Sequence, residues 1–455
     1  MAGKMKPVLW RGVALCCLLS PGISGTTAMA QQVEGRTSTI TTQIGVDAGR
    51  NLDLDAGSND KTVRLNGVFG YAYALRTRQT ELTFNAQVNP QTEDGGDHGL
   101  YPNLGLGFKH EAARVRFNFQ TSYAEARVTD QSLGFDDDTG AIIEYNGTGT
   151  RAISRVGGGF EGGIDMPFGY SLQLNHSEID YKDLSNLASY YGSTTDSAKA
   201  SLRGDISSIT SLSLNLGYNH YQAENPARTD RTTTDASLGL NQRIDALTSL
   251  QASVGRQEIE TQRLDQEDKT TSGAIFSLGL QRDDPLGTHL ISYDRTITEN
   301  GERDQVIVGR DRETAFGNFN GTVGLSKGKS GGTDWIGGLS YATELSRDKL
   351  SAQLSRSVRT SDDGDDVVVT RISGNVTHAL SELNSLDFGL MASATEYPDR
   401  DNTRIDATVA YQHRLTQDVD LRAGVRLGLA TKTDEQDAKS QSLFLTLSRQ
   451  FQFLH

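Results

Sequence analysis

From Ile40 almost to the last residue, the sequence alternates apolar and polar residues with a period of two. No window of 15 residues has helical spacing. In "SLSLNLGYN", residues 211 to 219, Leu212, Leu214, Leu216 and Tyr218 fall on one side of an extended chain, with Ser211, Ser213, Asn215, Gly217 and Asn219 on the other. Elsewhere Val115, Phe117, Phe119, Thr121 and Tyr123 oppose Arg114, Arg116, Asn118, Gln120 and Ser122. "LRAGVRLGL" sets Leu421, Ala423, Val425, Leu427 and Leu429 against Arg422, Gly424, Arg426 and Gly428. The chain therefore builds β-sheet. One stretch by itself leaves open whether the apolar side lines a soluble sandwich or faces lipid.

The N-terminus bears on that choice. "MAGKMKPVLWR" supplies Lys4, Lys6 and Arg11, a short apolar run "GVALCCLLS" follows, and "TTAMA" places Ala28 and Ala30 in small-residue cleavage positions. This predicts a secretory signal peptide over residues 1–30, cut after Ala30, and a single domain over 31–455. The nine-residue apolar run is too short for a spanning helix, which needs about 20 residues. Both cysteines, Cys16 and Cys17, fall inside the segment, and neither follows the small residue that lipidation requires. The expected mature chain thus has no disulfide, thiolate metal site or cysteine nucleophile.

Removing the segment leaves 41 Lys and Arg against 58 Asp and Glu, a formal charge of −17. Phosphate-led binding of nucleic acid is disfavoured at that balance. With only 8 prolines and no low-complexity linker, nothing divides the 425 residues into smaller domains. No apolar run after Ala30 approaches 18 residues, so a membrane would have to be crossed by strands.

The connections fall into two kinds. One is short and has Ile or Leu followed six residues later by Leu: "ISSITSL" from Ile206, "IDALTSL" from Ile244, "LSELNSL" from Leu380 and "LTQDVDL" from Leu415, with "LSRDKL" at Leu345 one residue shorter. Successive turns of this form lie 38 and 35 residues apart, which suits two strands of about 10 residues and one longer loop. The other kind is polar and acidic, as in "NPQTEDGGDHG", "TDQSLGFDDDTGAIIEYNGTGT", "SNLASYYGSTTD", "ENPARTDRT", "RTSDDGDD" and "YPDRDN". Short turns at one end and long acidic loops at the other are the asymmetry of an outer-membrane barrel, with the turns in the periplasm and the loops outside.

That asymmetry settles which side is wet. Sandwiches would need several separate cores marked by large aromatics. The polar faces instead hold Ser, Thr, Asn, Gly, Arg and Asp, while Tyr71, Tyr73, Tyr170, Trp335, Tyr341 and Tyr411 sit toward strand ends as candidates for an aromatic girdle. A closed sheet satisfies every backbone group in lipid and leaves no edge. The expected fold is an all-β, antiparallel, up-and-down transmembrane barrel with an even strand number between 16 and 22, best 18 to 22. Its weakest segments lie near 128–152 and 301–316. A barrel of that size leaves a water-filled lumen unless something plugs it.

The closing segment "SLFLTLSRQFQFLH" puts Leu443, Leu445, Leu447, Phe451 and Phe453 on one face. It is similar to the terminal strand read by the barrel-assembly machinery, with Leu447, Phe451 and Phe453 as the candidate signal, although Leu454 and His455 displace the usual final aromatic. Arg114, Arg116, Asp294, Asp387, Arg422 and Arg426 are the candidate lumen-lining charges; mixed signs on a pore wall can select solutes.

No catalytic constellation emerges. The eight histidines, His98, His110, His176, His220, His289, His378, His413 and His455, occur singly, without metal-ligand spacing. There is no nucleophile elbow and no phosphate loop, and "VGGGFEGGID" lies on an alternating strand. Asp136 to Asp138, and Asp362, Asp363, Asp365 and Asp366, do not match an EF-hand. They read as solvated outer loops touching lipopolysaccharide through divalent ions. No cofactor or metal is expected, and the chain is not expected to be an enzyme. A 22-stranded TonB-dependent transporter is set aside because alternation begins at Ile40, ten residues after the expected cleavage, which leaves no room for a plug.

Trp335, "LSY" at 339–341, "ELS" at 344–346, "LSRSV" at 354–358, "ALSELNSL" at 379–386 and the closing "LSRQFQF" carry a family resemblance. Over residues 200–455 the chain resembles the β-barrel porin 2 type, many of which are associated with bacterial exopolysaccharide export loci. The resemblance implies an outer-membrane channel for hydrophilic solutes, with export of a secreted polysaccharide as its finer form. The partners it implies are outer-membrane lipid and periplasmic polysaccharide-export proteins. The alternative is a plugged structural or adhesive barrel acting through its external loops.

Overall fold

The computed structural model describes residues 35–454, apart from 95–97, 129–133, 136–141, 144–148, 185–189, 330–331, 362–363 and 434. The predicted signal segment, Asp136 to Asp138, Asp362, Asp363 and His455 lie outside the described residues. Alternation becomes a single 22-stranded sheet in which each strand runs antiparallel to its neighbours. The first strand, Gly35–Arg50, pairs on one side with Lys61–Arg76 and on the other with the last, Ala438–Leu454. That second pairing runs in unbroken register from Thr37 opposite Leu454 to Arg50 opposite Gln441, so the sheet closes into a barrel with no free edge.

The two weak segments resolve differently. Gly301–Thr314 is a full strand of the wall. Among the described residues of the connection 128–149, Gly134–Phe135 and Ile142–Ile143 pair as a two-stranded sheet separate from the barrel, and the wall resumes at Thr150–Gly162.

The outer face is the apolar one. Leu212, Leu214, Leu216 and Tyr218 are all exposed, as are Leu443, Leu445, Leu447, Val323, Leu325, Val306 and Val308 on other strands. A continuous apolar band of this kind suits lipid and not water. The opposite faces form a polar network inside. Ser201 Oγ donates to Asn215 Oδ1 at 2.8 Å, Asn215 Nδ2 donates to Ser213 Oγ at 3.3 Å, and the Ser253 and Ser277 hydroxyls share a hydrogen bond of 2.7 Å.

The repeated turn motif has a single physical cause. Ile244 N–H donates to Thr248 O, Leu380 N–H to Asn384 O and Leu415 N–H to Val419 O, each at 2.9 Å. The residue after each apolar leader then caps the turn with its side chain. Asp245 Oδ1 accepts from the N–H groups of Leu247 (2.7 Å) and Thr248 (2.8 Å), Ser381 Oγ from Leu383 and Asn384 (3.2 Å each), and Thr416 Oγ1 from Asp418 (3.3 Å). A short polar side chain at this position mimics a backbone turn. All these turns share one end of the barrel with the start of the first strand and the end of the last.

At the opposite end the connections are shorter than their composition suggests. "ENPARTDRT" keeps only 224–229 outside strands, "RTSDDGDD" only 361–365 and "YPDRDN" only 397–400. The strands run 12 to 17 residues, longer than the 9–11 that cross a bilayer. Above the lipid both faces of a strand are wet, so the hydrophobic alternation fades while the hydrogen-bonded ladder continues.

Among the described residues there is no central apolar core. Buried side chains gather at the loop end, among them Tyr221, Val128, Val367, Thr395, Ser326, Asn225 and Thr229. Small apolar clusters form there: Val367 and Val369 with Met391 and Tyr397; Leu54 with Ala430 and Ala438; Val128 and Tyr190 with Tyr181 and Leu184. Leu54 reaches its cluster because the loop 51–60 turns sharply. Asn51, at φ +50°, accepts from Asp55 N–H at 2.8 Å and donates to Lys439 O at 3.2 Å.

Candidate lumen site

Three neighbouring strands at the barrel's closure, Val419–Lys432, Ala438–Leu454 and Gly35–Arg50, bring the C-terminal charges together. Arg422, Gly424 and Arg426 share the lumenal face of the first of these, since Val425 and Leu427 between and beside them are exposed outside. Opposite Gly424 stands Phe444, whose ring turns inward while Leu443 and Leu445 face out. A Cβ on Gly424 would come within 2.2 Å of the Val409 carbonyl oxygen and 2.8 Å of that ring, so glycine lets both the neighbouring backbone and the ring approach closely here. The two guanidiniums flank it, Arg426 at 4.3 Å and Arg422 at 5.7 Å from the ring centroid.

Each arginine has a carboxylate nearby. Arg426 Nη1 lies 2.7 Å from Asp47 Oδ1 on the first strand, and Arg422 Nε lies 3.9 Å from Asp387 Oδ2 on Asn384–Glu396. Asn66 Nδ2 donates to Asp47 Oδ2, and Thr377 Oγ1 to Asp387 Oδ1, both at 2.7 Å. On the lumen wall here two arginines, beside an aromatic ring, stand between two carboxylates.

Of the six charges expected in the lumen, Asp387, Arg422 and Arg426 thus meet in one place, and three stand elsewhere. Arg116 is on the lumenal face near the short-turn end, where it pairs with Glu161 (2.9 Å) and Glu111 (3.0 Å). Asp294 faces the lumen between Ser277 and Gln305. Arg114 lies in the turn 112–114, just before the strand Val115–Arg127 begins, with its carbonyl accepting from Ile164 N–H at 3.2 Å.

Sequence reasoning missed Asp47, Asn66 and Phe444. Phe444 carries a usable signal, a bulky aromatic on an otherwise small polar face of the terminal strand. Asp47 carries none, because its partner Arg426 is 379 residues away.

A second set of charges lies at the loop end. Arg64 and Arg127 share Asp53 and Glu93: Arg64 at 2.6 and 3.0 Å, Arg127 at 3.3 and 2.6 Å. Glu299 accepts from Arg231 at 2.7 Å and Arg263 at 2.6 Å, and is 2% exposed. Asn300 Nδ2 donates to Gly364 O, and Arg303 pairs with Asp366, so the loop 361–365 is tied to the turn 299–300. These buried pairs draw the strand ends and loops together around the outer mouth.

The aromatic candidates take up outward positions at two levels. Tyr71, Tyr73, Tyr170, Tyr341 and Tyr411 lie toward the short turns, where Tyr341 Oη donates to Phe316 O (3.1 Å) and Tyr411 Oη to Asn384 Oδ1 (2.8 Å). Trp335 lies toward the loops, at a level joined by Tyr123, Tyr218 and Tyr293. Leu447, Phe451 and Phe453 sit on the outer face of the last strand, opposite Ile44, Ile40 and Ser38 of the first.

No family model matches the chain, and no curated protein matches it. Solved structures do. The FrpB iron transporter from Neisseria meningitidis (F5-1 variant) superposes with a TM-score of 0.58 at 9% identity, over 92% of this chain and 83% of that one. The ferric-catecholate import receptor Fiu from E. coli K12 gives 0.58 at 9%, over 92% and 82%. The ferric enterobactin receptor PfeA from Pseudomonas aeruginosa gives 0.53 at 9%, over 93% and 82%. At such identity the likeness is one of fold, and the fold is that of an outer-membrane barrel.

Proposed function

We propose that this outer-membrane barrel is a channel that passes hydrophilic solutes through its polar lumen, with the packed loop end as its narrowest part. The observation that carries the reading is the inversion of faces. Apolar side chains are outside, while Ser, Asn, Asp and Arg, hydrogen-bonded to one another, line the inside. A wall of this kind offers a hydrated solute successive partners without holding it tightly. Export of a secreted polysaccharide is the finer form of the proposal. It rests on the resemblance of residues 200–455 to exopolysaccharide-associated barrels, and would engage periplasmic export proteins at the short-turn end.

The burial of Tyr221, Val367, Glu299 and Arg303 at the loop end supports a second reading, a barrel shut at its mouth that acts through its external loops. Single-channel recording on the purified protein in a planar bilayer separates the two. Stable ohmic steps support the channel. Insertion without steps, confirmed by protection of the strands from protease, overturns it in favour of the closed barrel.

A further inference from the structure

The four charges around Phe444 cancel in number but not in position. Arg422 and Arg426 have side chains 31% and 44% exposed, whereas Asp387 and Asp47 are 21% and 11% exposed. The carboxylates are drawn back against the wall, where the neutral donors Thr377 and Asn66 occupy one oxygen of each. The arginines are propped away from the wall by the Phe444 ring, itself 4% exposed, beneath their guanidiniums. A solute passing this stretch meets guanidinium before carboxylate.

We infer that Arg422 and Arg426 form the charge-selecting step of the lumen and that the solutes favoured there are anions. This rests on the channel reading above and adds its substrate class. Fixed charges count most where they are nearest the ion and least screened by water. The guanidinium fork also matches carboxylate and phosphate oxygens geometrically. The lean is not shared by every lumenal pair: Arg414, at 51% against 34% for Asp420, has it near the short turns, while two pairs have the opposite one. Asp406 is more exposed than Arg404, at 25% against 6%, and Glu161 more than Arg116, at 35% against 26%. Gly424, where a larger residue would crowd the Phe444 ring, belongs to the same step.

The test is the reversal potential of single channels in a potassium chloride gradient across a planar bilayer. The expected result is a chloride-over-potassium permeability ratio above one in the unaltered protein, shifting below one in the Arg422→Gln, Arg426→Gln double variant. The Asp47→Asn, Asp387→Asn double variant, which keeps both arginines, should shift the ratio further toward chloride. That second variant answers the question even where the arginine variant fails to assemble. A conducting protein that prefers potassium, or one whose preference ignores both pairs of changes, overturns the inference and leaves the channel reading standing. Insertion with no current at all overturns the channel reading, and the inference with it.

Discussion

Arg426, on the next-to-last strand, reaches across the whole width of the last strand to Asp47 on the first, Nη1 to Oδ1 at 2.7 Å. The ion pair therefore bridges the seam where the barrel closes, over the backbone hydrogen bonds that join residues 37–50 to 441–454. Closing a ring from the two ends of a chain this long carries the largest loop-closure entropy in the fold, so side-chain contacts across that seam matter more than their number suggests.

Arg426→Ala should loosen the seam. It removes the Arg426 bond from the mostly buried Asp47 carboxylate, which keeps the one from Asn66, a loss of about 1–3 kcal/mol for a charge-assisted hydrogen bond. The expected outcome is a lower temperature of conversion from the folded to the unfolded band on semi-native gels. A barrel that resists heat as well as the unaltered one would mean the pair is incidental.

Glu299 is the shared acceptor of Arg231 and Arg263 and is almost wholly buried. Glu299→Ala removes an anion from between two cations, which in a buried setting costs about 3–5 kcal/mol. Because the network lies at the mouth and not in the lipid-facing wall, the barrel should still insert while the loops 263–268 and 361–365 become cleavable by added protease. Unchanged cleavage would count against these pairs ordering the loops at the mouth.

The two faces of the strand Thr210–Ala223 should respond oppositely to one charge. Leu214→Arg places a guanidinium in lipid, at a cost of about 2–4 kcal/mol near the bilayer midplane. Asn219→Arg places it in the lumen and should cost far less. Urea titration of both variants folded into lipid vesicles decides the matter; equal losses would contradict the assignment of faces.

Asp245 has its carboxyl held below the usual carboxylate range, chiefly by the Leu247 N–H that it accepts in the turn. A carboxyl whose folded value is depressed stabilises the fold above its unfolded value of about 3.9 and loses that contribution as pH falls through the folded value. The stability gap between the protein and its Asp245→Asn variant should therefore be constant near neutrality and shrink below about pH 4. A gap that is flat down to about pH 2 would place the turn's stability in its backbone bonds alone.

Much of this protein is written locally. The period of two, read on stretches such as 211–219, is enough to assign each side chain to lipid or lumen, because adjacent side chains on a strand always point to opposite faces. The turn form shared by Ile244, Leu380 and Leu415 is equally local, since its capping hydrogen bonds join residues two to four apart.

What the sequence leaves open is whatever depends on distant pairing. Gly301–Thr314 reads weakly because only Val306 and Val308 mark its lipid face between Asp304 and Arg310, yet its neighbours' backbone ladders hold it in the wall. The sequence puts Arg422 and Arg426 on the lumenal face. It could not say that Asp47 would meet Arg426, that Phe444 would lie under both guanidiniums, or that Asn300 would reach Gly364 at the loop end. The alternation is a property of one strand, fixed by the geometry of the extended backbone. The site is a property of the ring, and exists only once residues hundreds of positions apart have been brought into register.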